Sequence, residues 1–453
     1  MASNSVHTHA HSASEEVAPS PPQADNQAHV SLPLEIESAE LPPADRGRAA
    51  WLVLACCSII QTPVWGFSVS FGVYQNYYSK LSILDGSTSS IATIGTSASG
   101  ILYLSSPFTF ALLSRYPHLR RWSGPLGLFI TVVGFLSSSF ANSIGGLVAT
   151  QGVIAAIGGG LLYSPVTLYM DEWWVRRKGL AYGVMLASKA LSGVIIPFVM
   201  DALLHRFGFR ITMRAWAVAI FLLTAPLLFF LKPRISLSPT TAPQKISFTF
   251  LTLPSFYILQ ASNLVQSLGY FLPQTYLSSY ASTIGLNTNL GTLMIALVNG
   301  ASIPGALTMG MLNDRLDLSH VILLSSIGST LAVFIFWGLA GHGALLIMFA
   351  ILYGFFAGGW SSTWSGMMKQ MKRERSAIDT GLAFGLLSGV RGIGNVASGP
   401  LSAGLIEKAT SMAEKNVRFG YETKYEWVIV FTGLTCLMSG GGWGWKACRS
   451  LIA

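Results

Sequence analysis

Charge is scarce in this chain. Asp, Glu, Lys and Arg make up 10% of its 453 residues, where a soluble domain carries about 25%. With 51% hydrophobic residues and a mean hydropathy of +0.53, that scarcity excludes an ordinary soluble fold and points to a helical membrane protein. Cysteine is scarce too. Cys56, Cys57, Cys436 and Cys448 have no framework spacing and lie in apolar runs, which argues against a disulfide scaffold or a metal knuckle. No apolar signal segment opens the chain. Residues 1–44 are polar and rich in Ser, Pro, Ala, His and Glu, too poor in apolar surface to fold alone, and read as a disordered cytoplasmic tail. His7, His9 and His11 sit in that tail without a second ligand set. No Ser/His/Asp set or phosphate loop is present, and Gly392-Ile393-Gly394 falls inside an apolar run, so neither an enzyme nor a cofactor site is expected. The net charge of +9 is spread over loops, without the basic patch and exposed aromatics of a nucleic-acid partner.

What the chain does have is long apolar runs. Twelve are expected, at about 49–74, 89–113, 123–142, 144–169, 178–201, 211–231, 251–277, 289–312, 319–340, 343–368, 380–406 and 427–446. Each is near or above the ~20 residues that cross a bilayer as a helix. If the N-terminus is cytoplasmic, eighteen of the 28 Lys and Arg fall inside and eight outside. That excess places both termini in the cytoplasm, with plasma membrane as the default. The Pro- and Ser-rich stretch 232–250 is read as a cytoplasmic linker between a bundle at 45–231 and a second at 251–453.

The halves repeat. Gly179-Leu180-Ala181-Tyr182-Gly183 and Gly381-Leu382-Ala383-Phe384-Gly385 lie 202 positions apart, and so do Lys189 and Arg391. Each cation is ten residues past its first glycine, or ~15 Å along a helix, about half of a ~30 Å hydrocarbon core. A charge at that depth is costly and commonly marks a pathway or ligand site. Helices 1 and 7 echo each other as well, through Gly66-Phe67 with Tyr74 and Tyr77, and Gly269-Tyr270 with Tyr276 and Tyr280. The fold class expected is an all-α membrane protein with twelve transmembrane helices in two parallel six-helix repeats, the major facilitator arrangement.

Longer motifs carry a resemblance. Asp45-Arg46-Gly47, the block Asp171 to Gly183, the block Gly354 to Gly366, and Gly392-Ile393-Gly394-Asn395 through Gly399-Pro400 resemble the major facilitator superfamily, and within it the fungal branch of the monocarboxylate porters. The resemblance covers residues 45 to 446 and implies a transporter. Two features depart from the pattern. The stretch Leu113 to Arg121 has no acid, while its copy after helix 8 keeps Asp314. Helix 1 has no Lys, and Asn299 and Ile303 stand where animal porters resemble one another in an Asp/Arg pair. Proton-coupled lactate transport is therefore not implied.

The candidate substrate site starts from Lys189 and Arg391. Few acids are placed to neutralise them: Asp201 lies twelve residues after Lys189, or ~18 Å along a helix. A bridging anion with an apolar body would supply the missing charge. An Arg can grip a planar oxyanion in bidentate fashion, and a Lys, which can give up its proton, is the intramembrane candidate for proton coupling. Asn263 and Tyr270 belong to a polar stripe with Gln260, Ser267 and Gln274 on helix 7. Gln61 belongs to one with Trp65, Ser68, Gly72 and Gln75 on helix 1. Such stripes serve either a pathway lining or interhelical hydrogen bonds. Asn299 is included by its place in helix 8, Asn395 as one turn beyond Arg391, and Trp360 with Trp364 as an aromatic wall or ordinary packing. The function expected is an alternating-access carrier of a small organic anion, a monocarboxylate or acidic metabolite, embedded in lipid. Efflux of a hydrophobic secondary metabolite, and a non-transporting sensor on the same fold, stay open as alternatives.

Overall fold

The computed structural model describes residues 42–79, 81, 91–235, 245–376, 378–410 and 419–441. Most of the expected N-terminal tail, the middle of the linker and the C-terminal end lie outside them. All regular structure among the described residues is helical. The helices are α1 Gly47–Tyr78, α2 91–115, α3 Arg120–Ser138, α4 Ile144–Trp173, α5 178–207, α6 209–230, α7 Pro254–Thr283, α8 Thr288–Arg315, α9 Leu318–Trp337, α10 Gly343–Glu374, α11 Thr380–Thr410 and α12 Glu426–Ser439. Their order and positions are consistent with the twelve expected crossings, and six helical runs, one of them α5 and α6 together, are long and apolar enough to span by length and composition alone.

Helices α5 and α6 run on as 53 helical residues, Lys178–Phe230, ~80 Å if straight. They are not straight. Gly208 has φ +76° inside the run, a conformation that L side chains avoid. Ile196 and Trp216, on opposite sides of Gly208, both reach Gly66, so the chain folds back at that glycine.

One end of the bundle is rich in charge and tightly capped. Asp45, at φ +61°, accepts the backbone N–H groups of Val175, Arg176 and Arg177 at 2.8–3.1 Å. Three charge-assisted bonds offset the ~1–2 kcal/mol of the left-handed conformation and tie the start of α1 to the α4–α5 turn. Two of the resemblance motifs are thus one structural joint. Arg120 and Glu172 form an ion pair at 2.7 Å at the same end.

The repeated glycines explain themselves by contact. The small faces of α5 and α11 pack against α8 and α2 of the opposite half. A Cβ on Gly183 would sit 2.7 Å from the Ala306 carbonyl oxygen, and one on Gly385 would sit 2.9 Å from the Phe110 Cβ. The backbones could not approach so closely with any larger residue. Carboxylates fasten both seams. Asp314 of α8 accepts the N–H groups of Gly179 and Leu180 at 2.9 and 2.8 Å, capping α5 from the other half. Asp171 of α4 pairs with Lys178 and accepts the Thr380 hydroxyl at 2.8 Å. Lys178 and Thr380 are themselves 202 positions apart.

The apolar core is organised about these seams. At the charged end a single cluster joins both halves, running from Ala50–Trp65 through Leu102–Leu113 and Tyr163–Trp174 to Trp360–Met371 and Leu382–Leu387. Toward the other end the core divides. Phe67, Tyr74, Phe135 and Trp216 belong to one cluster in the first half. Leu277, Trp337, Tyr353 and Tyr425 belong to another in the second. Lys189 and Arg391 come just beyond the shared cluster.

Candidate functional site

Helix α5 places the Lys189 ammonium 3.5 Å from the ring centroid of Trp65 on α1 and 5.1 Å from that of Tyr103 on α2. The same ammonium donates to the Tyr103 hydroxyl at 2.7 Å. Helix α11 places the Arg391 guanidinium 4.3 Å from the ring centroid of Tyr270 and 5.4 Å from that of Phe271, both on α7. Trp364 of α10 lies a little farther off, at 5.9 Å. The arrangement is a repeat in space: a cation from the fifth helix of each half rests on an aromatic face of that half's first helix.

Arg391 is only 2% exposed. Its Nη1 donates to Gln266 Oε1 at 2.9 Å, while its Nε is buried without a partner. Among the described residues neither Arg391 nor Lys189 pairs with a carboxylate. The two cations are joined through one pair of rings, Lys189 on the Tyr103 hydroxyl and Arg391 over Phe271, which Tyr103 meets edge-on. A desolvated cation–π contact contributes about 2 kcal/mol. The effective desolvation penalty is several kcal/mol per ion. The rings and Gln266 therefore leave a deficit of negative charge at this point.

The other expected site residues divide. Tyr270 lies under Arg391 and accepts from Gln274 at 3.3 Å. Gln61 is wholly buried one turn before Trp65, with Nε2 on the Cys57 carbonyl at 3.4 Å and Oε1 unpartnered. Asn263 is engaged on both sides: its amide donates to the Leu387 carbonyl at 2.7 Å, and its oxygen accepts the Trp364 indole N–H at 3.1 Å. It braces the aromatic wall from behind. Trp360 is buried in a 3₁₀ turn of α10, within the shared core, with its indole N–H unpartnered. Asn395 donates to Ser99 across the α11–α2 seam at 2.7 Å rather than to the guanidinium. Asn299 lies against Gly193 on the α5–α8 seam and donates to its own helix at Ile295. An apolar groove of about 770 Å³ lined by Val194, Phe198, Leu297, Gly300, Pro304 and Phe355 follows that seam and contains neither cation.

Three members escaped the sequence reading. Gln266 falls three residues after Asn263 and four before Tyr270, so the polar stripe could have been drawn through it. Tyr103 and Phe271 carry no comparable signal; Tyr103 stands among the hydroxyls of Ser97, Ser99, Ser105 and Ser106, and only its being a residue type that seeks a partner when buried could have marked it.

Residues 50–303 match the Major Facilitator Superfamily. The chain belongs to that family. It is 26% identical over 398 residues to the MFS transporter asaE of Aspergillus flavus, covering 86% of this chain and 88% of that one. Likeness extends to the Fujikurins efflux protein of Gibberella fujikuroi, 26% identical with coverage of 87% and 82%. The Aspyridones efflux protein apdF of Emericella nidulans is 24% identical, with coverage of 94% and 86%. Among solved structures, the proton:xylose symporter XylE superposes with a TM-score of 0.65 over 86% of this chain and 94% of its own, at 12% identity. This member of the superfamily is thus a multi-pass membrane transporter with the all-helical major facilitator fold.

Proposed function

We propose that this transporter is a secondary carrier for a small organic anion with an apolar, ring-sized body. The observation carrying this reading is the charge deficit at Lys189 and Arg391, two repeat-equivalent cations held on aromatic faces, with the Arg391 Nε unpartnered. A carboxylate between them would accept from both cations, and the rings of Trp65, Tyr270 and Phe271 would border its body. The sequence motifs that resemble fungal monocarboxylate porters are what suggest a carboxylate as the cargo. The lysine can release its proton and the arginine cannot, so Lys189 is the residue through which proton movement would couple.

The cores suggest how access alternates. With the charged end taken as cytoplasmic, as its Lys and Arg excess indicates, and both termini on that side of the plasma membrane, the shared cluster shuts the cytoplasmic path. The divided clusters then leave the external path to open. Rocking of the halves about the α5–α8 and α2–α11 seams would exchange the two.

Outward movement of the cargo is a second reading, favoured by one observation: two relatives are named efflux proteins, for fujikurins and aspyridones. The two readings meet in an acidic metabolite exported from the cell. The test is uptake of labelled organic acids and their amides into liposomes holding the purified protein, with and without a pH gradient. Preferential movement of acids supports the reading; movement of neutral compounds alone overturns it.

A further inference from the structure

Among the described residues nothing accepts the hydroxyl hydrogen of Tyr103, which takes the Lys189 ammonium and meets the ring under Arg391. A tyrosyl oxygen offers one O–H donor and two acceptor sites. At Tyr103 the Lys189 ammonium, a donor only, fills one acceptor site at 2.7 Å. The Arg391 guanidinium, also a donor only, lies over the Phe271 ring that Tyr103 meets edge-on. Neither cation can take the tyrosyl hydrogen. Among the described residues no hydrogen bond has this hydroxyl as its donor. The residue is only 4% exposed, so bulk water is not at hand to serve instead.

The ring cannot turn away. It packs on Trp65 at 4.6 Å between centroids and meets Phe271 edge-on at 6.4 Å. Behind it, Gly392 approaches so closely that a Cβ there would sit 2.7 Å from the Tyr103 Cβ. A rigid ring presenting a free O–H beside Lys189, with the unpartnered Arg391 Nε across the Phe271 ring, offers a set of donors, and the amide acceptor at Arg391, Gln266 Oε1, is taken by its Nη1.

We propose that Tyr103 is a specificity residue of the carrier, donating its O–H to the substrate oxyanion that bridges Lys189 and Arg391. The proposal rests on the anion reading above and extends it. The site becomes a three-donor clamp drawn from α2, α5 and α11, selecting an ionised carboxylate over a neutral group of the same shape. A protonated acid or an amide presents its own donor to the clamp and leaves one hydrogen bond unmade, a mismatch that buried polar sites discriminate strongly.

The test uses the full chain in liposomes with four probes: labelled phenylacetate, decanoate, phenylacetamide and decanamide. In Tyr103→Phe, uptake of the acids is expected to fall about tenfold or more through KM, as for a lost hydrogen bond to a charged group. The acid-over-amide preference is expected to shrink with it, while the unfolding midpoint holds within a few degrees. Native-like uptake and preference in Tyr103→Phe overturn the proposal and leave the anion reading standing. Equal loss of acids and amides also overturns it, since that is the mark of a merely structural ring. If the native protein shows no preference for acids, the anion reading itself fails and this proposal with it. Should Tyr103→Phe fold poorly, Tyr103→Gln and Tyr103→Leu decide: the donor-bearing Gln keeps more acid preference, and equal preference in both overturns the proposal.

Discussion

Tyr182 and Phe384 occupy equivalent positions of the internal repeat, 202 residues apart, and their rings meet at 5.4 Å between centroids. Two equivalent residues can touch only where the halves meet on their common axis. Phe384 also meets Phe110, Tyr163 and Trp364, which makes it the hub of an aromatic plug. Lys189 and Arg391 each follow seven residues later, ~10 Å along their helices. The plug thus seals the charged end directly beside the cations.

Removing either cation tests the site at its base. Lys189→Met and Arg391→Met are each expected to lower organic-acid uptake by roughly 30-fold or more, a charged hydrogen bond contributing about 2–3 kcal/mol. Both variants should fold, because neither strands a carboxylate. Initial rates of labelled-acid uptake in liposomes measure the effect. Undiminished transport in both would assign the pair a structural role.

Trp65→Leu keeps an apolar side chain but removes the face under Lys189. With the ammonium 3.5 Å from the ring centroid, a desolvated cation–π contact contributes about 2 kcal/mol. Acid uptake should fall by roughly 5–30-fold, and Trp65→Phe should recover part of it. A Leu variant that matches the native rate would remove the ring from the account.

Gly183→Val should jam the α5–α8 seam. The added carbons meet the Ala306 carbonyl at 2.7 Å or less, so the charged end cannot close. Ser388, buried on α11 with its hydroxyl on Ser106 of α2 at 3.0 Å, reports the closure. In a background without the native cysteines, Ser388→Cys should label several-fold faster from the charged side when Gly183→Val is also present. Transport should drop at least tenfold. Unchanged labelling would show that the seam tolerates the branch.

Coupling to protons has its own variant. Arg holds its charge at every accessible pH whereas Lys does not. Lys189→Arg should therefore flatten the pH dependence of acid uptake while keeping the positive charge. A native-like pH profile in Lys189→Arg would move the coupling elsewhere.

Much of this architecture is legible in the residues, for physical reasons. A spanning helix must be apolar for about twenty residues, so the runs declare themselves. A seam between backbones admits only glycine, so Gly179-Leu180-Ala181-Tyr182-Gly183 and its copy declare the repeat. The surroundings of the cations are harder to read. Tyr103 and Phe271 look like any other aromatic residues of an apolar helix, while Trp65 and Tyr270 stand in polar stripes that do not name the cation each one carries; what makes all four distinctive is a cation arriving from a helix far along the chain. Asn395 shows the opposite difficulty. Its spacing places it one turn from Arg391, yet Ser99 on the neighbouring helix takes its amide. Spacing orders residues along one helix and says nothing of which neighbour competes for them.

The single core at one end and the divided core at the other would give the proposed carrier a sidedness in its affinity. On the proposed anion reading, ligands arriving from the divided end would meet the cations without parting the Tyr182–Phe384 contact. Loading from the charged end must wait for molecules in which that contact has opened. Apparent affinity on that side is weaker by the fraction so opened, and an exporter built this way would run at a rate governed by how often its empty form turns inward.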